Sequence, residues 1–234
     1  MGKNLIQQAR GKGSPTYRAP SFRYLAKVAY PQKGTQGQIL DFVKSSGHSS
    51  PLAQTKFDSG EETYIIAAEG IKVGDTIKIG MDAPLVQGNT LYLKDIPIGA
   101  NIFNIEIRPG DGGKMVRSSG CFAKVTSKAD NRVTVMLPSK KEKTFNQQCR
   151  ATVGTTAGSG RKEKPFLKAG TRFHYMQARN KLYPRVKGQS MNAVDHPHGT
   201  SRSSKKGQPT IADKNAPPGA KVGKIRPRRT GMKR

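Results

Sequence analysis

Charge constrains this chain more than any other feature of its sequence. Over 234 residues, 42 lysines and arginines face 15 aspartates and glutamates, a formal net charge of +27. A small soluble domain typically carries a net charge of up to about 8. Self-repulsion at more than three times that level opposes a compact state unless a polyanion neutralises it. A freestanding metabolic enzyme is a poor reading of such a chain. The charge is also unevenly placed. Residues 1–33 hold 7 basic and no acidic side chains, and residues 34–100 hold 5 and 8. Residues 101–150 hold 10 and 4, and residues 151–234 hold 20 and 3.

Apolar residues run the other way. Leu, Ile, Val and Phe number 29 of the 117 residues in 34–150 but 10 of the 84 in 151–234. A strongly charged segment in which these four types fall below about 20% does not usually fold alone. The expected layout is a basic arm at 1–33, a folded centre and a basic extension at 161–234. Such arms order on nucleic acid, whose phosphates supply the missing counter-charge.

The centre reads as β-structure. Residues 103–108 alternate apolar and polar, the period of a half-buried strand, and Pro109-Gly110-Asp111-Gly112-Gly113 follows as a turn. Residues 121–126 and 132–137 form an expected hairpin around Ala129-Asp130-Asn131. Upstream, 38–43, 52–57, 63–68 and 76–79 read as short strands separated by Gly, Ser, Pro or Asp. Closely spaced short strands predict small barrels. A break at residues 93–102 divides the centre into one barrel at 34–95 and a second at 96–160.

Several classes are set aside. Two cysteines, Cys121 and Cys149, make no disulfide framework and lack zinc-ligand spacing, so they read as small core residues. No apolar run approaches the roughly 18 residues of a membrane span, and no secretory h-region follows the N-terminus. Ile6 stands where a myristoylation motif wants Ser or Thr. Gly11, Gly13, Pro15 and Pro20 would break the helix of a mitochondrial transit peptide.

Residues 154–162 look superficially like a phosphate loop but lack its Gly-Lys-Ser/Thr ending, so a flexible basic linker is expected. From 161 to 187, Arg161, Lys164, Lys168, Arg172, Arg179, Lys181, Arg185 and Lys187 alternate with Phe166, Phe173, Tyr175 and Tyr183. Cations neutralise phosphates while aromatics stack on unpaired bases. Phe166 and Phe173 are expected to anchor this segment, and residues 176–181 to form a helical turn or two. Asp195-His196-Pro197-His198-Gly199 invites a proton-shuttle reading for His196. No nucleophile or oxyanion hole accompanies it, so a rigid turn whose imidazoles contact RNA is the better reading.

The segment Gly188-Gln189-Ser190-Met191-Asn192-Ala193-Val194-Asp195-His196-Pro197-His198-Gly199 closely resembles the signature of the universal L-two family of large-subunit ribosomal proteins. Leu167-Lys168-Ala169-Gly170, Pro184-Arg185-Val186-Lys187-Gly188 and Cys149-Arg150-Ala151-Thr152-Val153-Gly154 resemble further family motifs. So do Arg108-Pro109-Gly110-Asp111-Gly112-Gly113-Lys114 and Arg228-Arg229-Thr230-Gly231. Ala67-Ala68-Glu69-Gly70 and Gly158-Ser159-Gly160-Arg161 are similar to the archaeal and eukaryotic branch, and the short basic N-terminus fits an archaeal member. The likeness runs in order along essentially the whole chain. Ala193 departs from the usual Pro, and Thr200-Ser201 from the usual run of Gly.

The resemblance implies an all-β chain, an OB-like barrel followed by an SH3-like barrel, with long basic irregular extensions at both ends. It implies a structural, primary rRNA-binding protein of the cytoplasmic large subunit, near the peptidyl-transferase region. That role includes subunit association, tRNA binding and support of peptide-bond formation. The expected partners are large-subunit rRNA, small-subunit rRNA across the interface, and other ribosomal proteins, with no membrane and no small-molecule substrate. No cofactor or protein metal site is expected, and any Mg2+ would be rRNA-associated. No catalytic residue is assigned, and His196 is carried over as an RNA contact. The expected RNA-binding set begins with Arg10, Lys12, Arg18 and Arg23 in the arm, and Arg108, Lys114, Arg117 and Arg150 in the centre. It continues with the cations of 161–187 named above and with Met191, Asn192, Asp195, His196 and His198. It ends with Arg202, Lys205, Lys206, Arg226, Arg228 and Arg229. Two other readings remain open from sequence: an RNA-acting enzyme using His196, and a chromatin-type nucleic-acid-compacting protein.

Overall fold

The computed structural model describes residues 2–31, 35–200 and 210–226. The chain divides into two compact units: Ser21–Ala169, and Met1–Pro20 together with Gly170–Arg234.

The larger unit is built from two antiparallel sheets. The first contains β1 (Gln36–Val43), β2 (Leu52–Phe57), β3 (Glu62–Ile66) and β4 (Thr76–Lys78), in the order β3-β2-β1-β4. β1 pairs with β2 from Gly37↔Phe57 to Val43↔Leu52, with a bulge between Ile39 and Asp41. The close pairing needs glycine at 37: a Cβ there would lie 2.8 Å from the Phe57 ring. Buried Tyr30, Ile39, Ala53, Phe57, Ile65, Ile77 and Ile79 form its core.

The second sheet contains β5 (Thr90–Tyr92), β6 (Asn101–Phe103), β7 (Ala123–Ala129), β8 (Arg132–Met136), β9 (Glu142–Asn146) and β10 (Arg150–Val153). Its order is β5-β10-β6-β7-β8-β9. The expected hairpin is present, with β7 pairing with β8 from Lys124↔Met136 to Ala129↔Arg132. Leu93, Ile96, Ile102, Ile105, Val125, Val133, Val135, Cys149 and Ala151 pack inside. Complete burial of one such Ile, Leu or Val stabilises by about 1.5–3 kcal/mol. The second sheet takes in β5, which lies before the break read from sequence at 93–102, because β5 pairs with β10, Leu91 opposite Ala151.

Val28, Leu52, Ile66, Ala68 and Phe103 form a third cluster in contact with both sheets. Single bridges at Ala68↔Thr156 and Ile79↔Thr90 also join them. The two sheets match the expected all-β class, an OB-like barrel followed by an SH3-like one.

Two sequence expectations fail here. Residues 103–108 are not an alternating half-buried strand. β6 ends at Phe103, Asn104 adopts φ 49°, and both Asn104 and Glu106 are buried. Alternation assumes that polar residues face water, but the Glu106 carboxylate is paired inside, and Asn104 is held there by its backbone, its O accepting the Tyr30 hydroxyl at 2.7 Å and its N–H donating to Val116 O at 2.9 Å. Nor is 154–162 a flexible linker. The Ala157 N–H donates to Ala67 O at 2.9 Å, the Glu69 N–H donates to Thr155 O at 2.9 Å, and Thr156 is fully buried. The segment instead clasps the first sheet to the second.

In the smaller unit, α1 (Ile6–Gly11) opens with Gln8 Oε1 accepting the Leu5 N–H at 2.8 Å. The Lys3 N–H donates to Val194 O at 2.8 Å, and Arg10 Nη2 donates to Asn180 O at 2.8 Å. Residues 2–20 of the arm and the described part of the extension from 170 onward, read from sequence as separate, therefore form one body, whereas residues 21–31 and 161–169 belong to the larger unit. α2 (Ala169–Ala178) is longer than the turn or two expected at 176–181. Only Ala178 of its residues is buried, so no apolar stripe announces it. β11 (Ile211–Ala212) and β12 (Lys224–Ile225) pair in parallel.

Candidate nucleic-acid interface

The expected cations divide by chemistry. All six described lysines of the set, Lys12, Lys114, Lys164, Lys168, Lys181 and Lys187, are exposed. Of the eleven described arginines, Arg10, Arg23, Arg117, Arg150, Arg161 and Arg179 are half-buried, and Arg18, Arg108, Arg172, Arg185 and Arg226 are exposed. A guanidinium is weakly hydrated and presents a fork of donors, so it is more easily drawn into protein than an ammonium.

Arg150 is paired with a buried carboxylate. Its guanidinium donates to Glu106 Oε1 from Nη2 at 2.8 Å and from Nε at 3.1 Å, and it lies 5.1 Å from the centre of the Tyr30 ring. Glu106 also accepts the backbone N–H groups of Arg150, Gly112 and Gly110 at 2.8, 3.1 and 3.3 Å. Nearby, the Tyr30 hydroxyl contacts Asn104 O at 2.7 Å and Thr152 Oγ1 at 2.8 Å. Burial pushes its pKa well above the ordinary tyrosine range. Burial likewise raises the Cys149 thiol to about 11, helped by the Glu106 charge. Cys121, also read as core, is only partly buried. Arg150 is thus a structural cation. Glu106, Tyr30 and Asn104 did not stand out in the sequence. The available signal was one acid inside an apolar run, just ahead of a Gly-rich turn.

Other arginines also find partners within the chain. Arg161 Nε donates to Ser119 Oγ at 2.7 Å, and Arg117 donates to Gly113 O and Val28 O at 3.3 and 3.4 Å. Arg179 lies 3.9 Å from the Tyr175 ring centre, Arg172 5.1 Å from Tyr183, and Arg10 5.4 Å from Tyr17. Much of the cation–aromatic interleaving is therefore satisfied within the chain. Phe166 and Phe173 are more than two-fifths exposed and do not act as buried anchors.

The His196 segment folds into a tight loop. Asn192 O accepts the N–H groups of Asp195 and His196, Met191 O accepts that of Thr200, and His196 O accepts that of Gly199. The His198 N–H donates to His196 Nδ1 at 3.0 Å, and the two rings are 4.8 Å apart. With Nδ1 accepting, neutral His196 carries its proton on Nε2. His198 is buried, while Met191 and His196 are half-buried and Asn192 and Asp195 exposed. A Cβ on Gly188 would lie 2.3 Å from His196 Cε1, so the ring rests directly on that glycine. Among the described residues, no three His, Cys, Asp or Glu side chains come together to hold a metal ion, and no helix is long and apolar enough to cross a membrane. Arg202, Lys205, Lys206, Arg228 and Arg229 lie outside the described residues.

Residues 86–218 match the family model described as "Ribosomal Proteins L2, C-terminal domain". The whole chain is 48% identical to the large ribosomal subunit protein uL2 of Methanosphaera stadtmanae, and 46% identical to those of Methanothermobacter thermautotrophicus and Archaeoglobus fulgidus. In all three the match covers 100% of both sequences. The chain belongs to the ribosomal protein L2 family. Its relatives are of the archaeal type, as the motifs at 67–70 and 158–161 imply. As an L2 protein it is a structural constituent of the large ribosomal subunit and not an enzyme.

Proposed function

We propose that this L2 protein is a primary rRNA-binding protein of the cytoplasmic large subunit, positioned near the peptidyl-transferase region. There it supports subunit association, tRNA binding and peptide-bond formation. Its partners are large-subunit rRNA and other ribosomal proteins, with small-subunit rRNA contacted across the subunit interface. The observation that carries the reading is that nearly all the excess charge lies in 1–33 and 151–234, where every described lysine of the expected set is exposed. The two barrels meet folded rRNA by shape and phosphate contacts. Residues 161–234 thread between RNA helices and neutralise phosphate repulsion. His196 contributes as a structural RNA contact, its ring fixed by His198 and Gly188. Any Mg2+ at the interface belongs to the RNA.

Salt dependence tests the reading. Each phosphate neutralised contributes about 0.7–0.9 to the slope of log K against log salt. Replacing Lys12, Lys164, Lys168, Lys181, Arg185 and Lys187 by Gln in the full chain is expected to reduce the slope for rRNA by about 4–5. An unchanged slope overturns the assignment of these side chains to phosphate.

A further inference from the structure

A cleft in the larger unit combines charge with an aromatic wall. It is an open cleft of about 390 Å3, and its walls include Tyr24, Lys27, Val28, His48, Lys114 and Arg117. Three cations line it and no carboxylate does. Its lining thus differs from the surroundings of Arg150, whose charge is met by Glu106. Arg117 is half-buried, and desolvation lowers its pKa, so an anion here meets a poorly hydrated guanidinium. Two of its N–H groups are used on Gly113 O and Val28 O. About three of the five donors a guanidinium carries remain.

The aromatic wall is held in advance. Tyr24 meets the His48 ring edge-on, with ring centres 5.1 Å apart at 86°. His48 Nδ1 pairs with Ser45 Oγ at 2.8 Å, which also accepts the Leu25 N–H at 3.3 Å. The Gly47 N–H donates to Arg23 O at 2.6 Å. A Cβ on Gly47 would lie 2.5 Å from the Tyr24 ring, so only glycine lets the ring lie there. Tyr24 remains 39% exposed. Burial, reinforced by the charge of Arg117, lowers the His48 pKa, so this wall presents a neutral imidazole at neutral pH.

From this geometry we propose that the cleft receives one unpaired ribonucleotide of RNA. The base stacks on Tyr24, and its phosphate rests on Lys27, Lys114 and Arg117. The proposal deepens the rRNA-binding reading and rests on it. Cations alone would serve any phosphate, whereas a fixed aromatic face beside them suits an unpaired base. The volume lies within the range of about 300–1,000 Å3 usual for small-ligand sites.

The test uses the full-length chain and two RNA hairpins, identical except that one carries a single extruded 2-aminopurine ribonucleotide in its stem. The extruded hairpin is expected to bind more tightly, and its fluorophore to be quenched on binding. Tyr24→Ala is expected to remove about 5- to 150-fold of that preference, the range for one base–aromatic stack. Tyr24→Phe should retain both the preference and the quenching, which separates loss of the stack from loss of the fold. Equal binding of the two hairpins by the native chain overturns the proposal and leaves the RNA-binding reading standing. So does a preference that Tyr24→Ala leaves intact. Failure of the native chain to bind either hairpin or rRNA removes both.

Discussion

Replacing Glu106 by Leu removes an acceptor on which five donors converge: two from the Arg150 guanidinium and the backbone N–H groups of Arg150, Gly110 and Gly112. The carboxylate side chain is 0% exposed and that of Arg150 16%, so water can reach little of what is left behind. Breaking a buried ion pair from one side costs about 3–5 kcal/mol. The discriminating experiment adds Arg150→Met. Exchanging a whole buried pair for apolar residues is often neutral or stabilising, because the orphaned charge disappears. Here it should not be. The backbone N–H groups of buried Gly112 and half-buried Arg150 would still point into an apolar space, and a stranded donor costs about 1–3 kcal/mol. At the lower end the double variant remains about 2 kcal/mol less stable than the native chain. Urea unfolding of the full-length chain, comparing midpoints at matched slopes, reads the difference. A double variant within about 1 kcal/mol of native would refute the claim that Glu106 organises the 106–113 turn through its backbone.

Two further outcomes follow. The His48 pKa is lowered in the fold, by burial first and then by Arg117, from an ordinary value of 6.5. The unfolded chain then binds the extra proton first, so the fold loses stability as pH falls below 6.5 toward the depressed value. His48→Gln should flatten that part of the stability profile measured by urea unfolding. For His196→Gln, subunit assembly is expected to weaken with peptide-bond formation in assembled subunits largely retained. Normal assembly with a loss of roughly a hundredfold or more in peptide-bond formation would mark a general base and sink the structural role.

Strands announced by flanking Gly, Ser and Pro were legible in the sequence. Residues 52–57 are strand over their full length, and the hairpin around 129–131 pairs as expected. What stayed hidden was polar structure facing inward. The run Phe103-Asn104-Ile105-Glu106 reads as alternation only if Asn and Glu meet water. A single-sequence pattern has no means of seeing that Arg150, 44 residues later, will meet Glu106. β10 itself is short and carries the arginine that was read as an RNA contact. α2 stayed hidden for the opposite reason: its residues are mostly exposed in the chain alone, so its sequence carries no buried stripe. The His196 loop was conspicuous as a motif. Its cause lay in glycines 188 and 199, where a Cβ would collide with the His196 ring and with Asn192 O.

The same logic revises what the net charge means. Counted along the sequence, lysine and arginine are equal, and every cation behind the +27 reads as the same demand for phosphate. In the fold they diverge. Arg150 is committed to Glu106, Arg10 to a carbonyl beyond α2, Arg161 to the clasp that joins the sheets, and Arg179 to Tyr175. A planar fork with five donors ties together segments distant in sequence and still leaves donors over, whereas an ammonium on a flexible stem is better left in water. The half-buried Arg10, Arg150, Arg161 and Arg179 therefore hold the protein in shape, and the exposed lysines carry the charge proposed to meet RNA. Lysine replacement should then weaken RNA binding through its salt dependence with the fold intact. Replacing Arg150 or Arg161 should act first on folding, and on RNA only as a consequence.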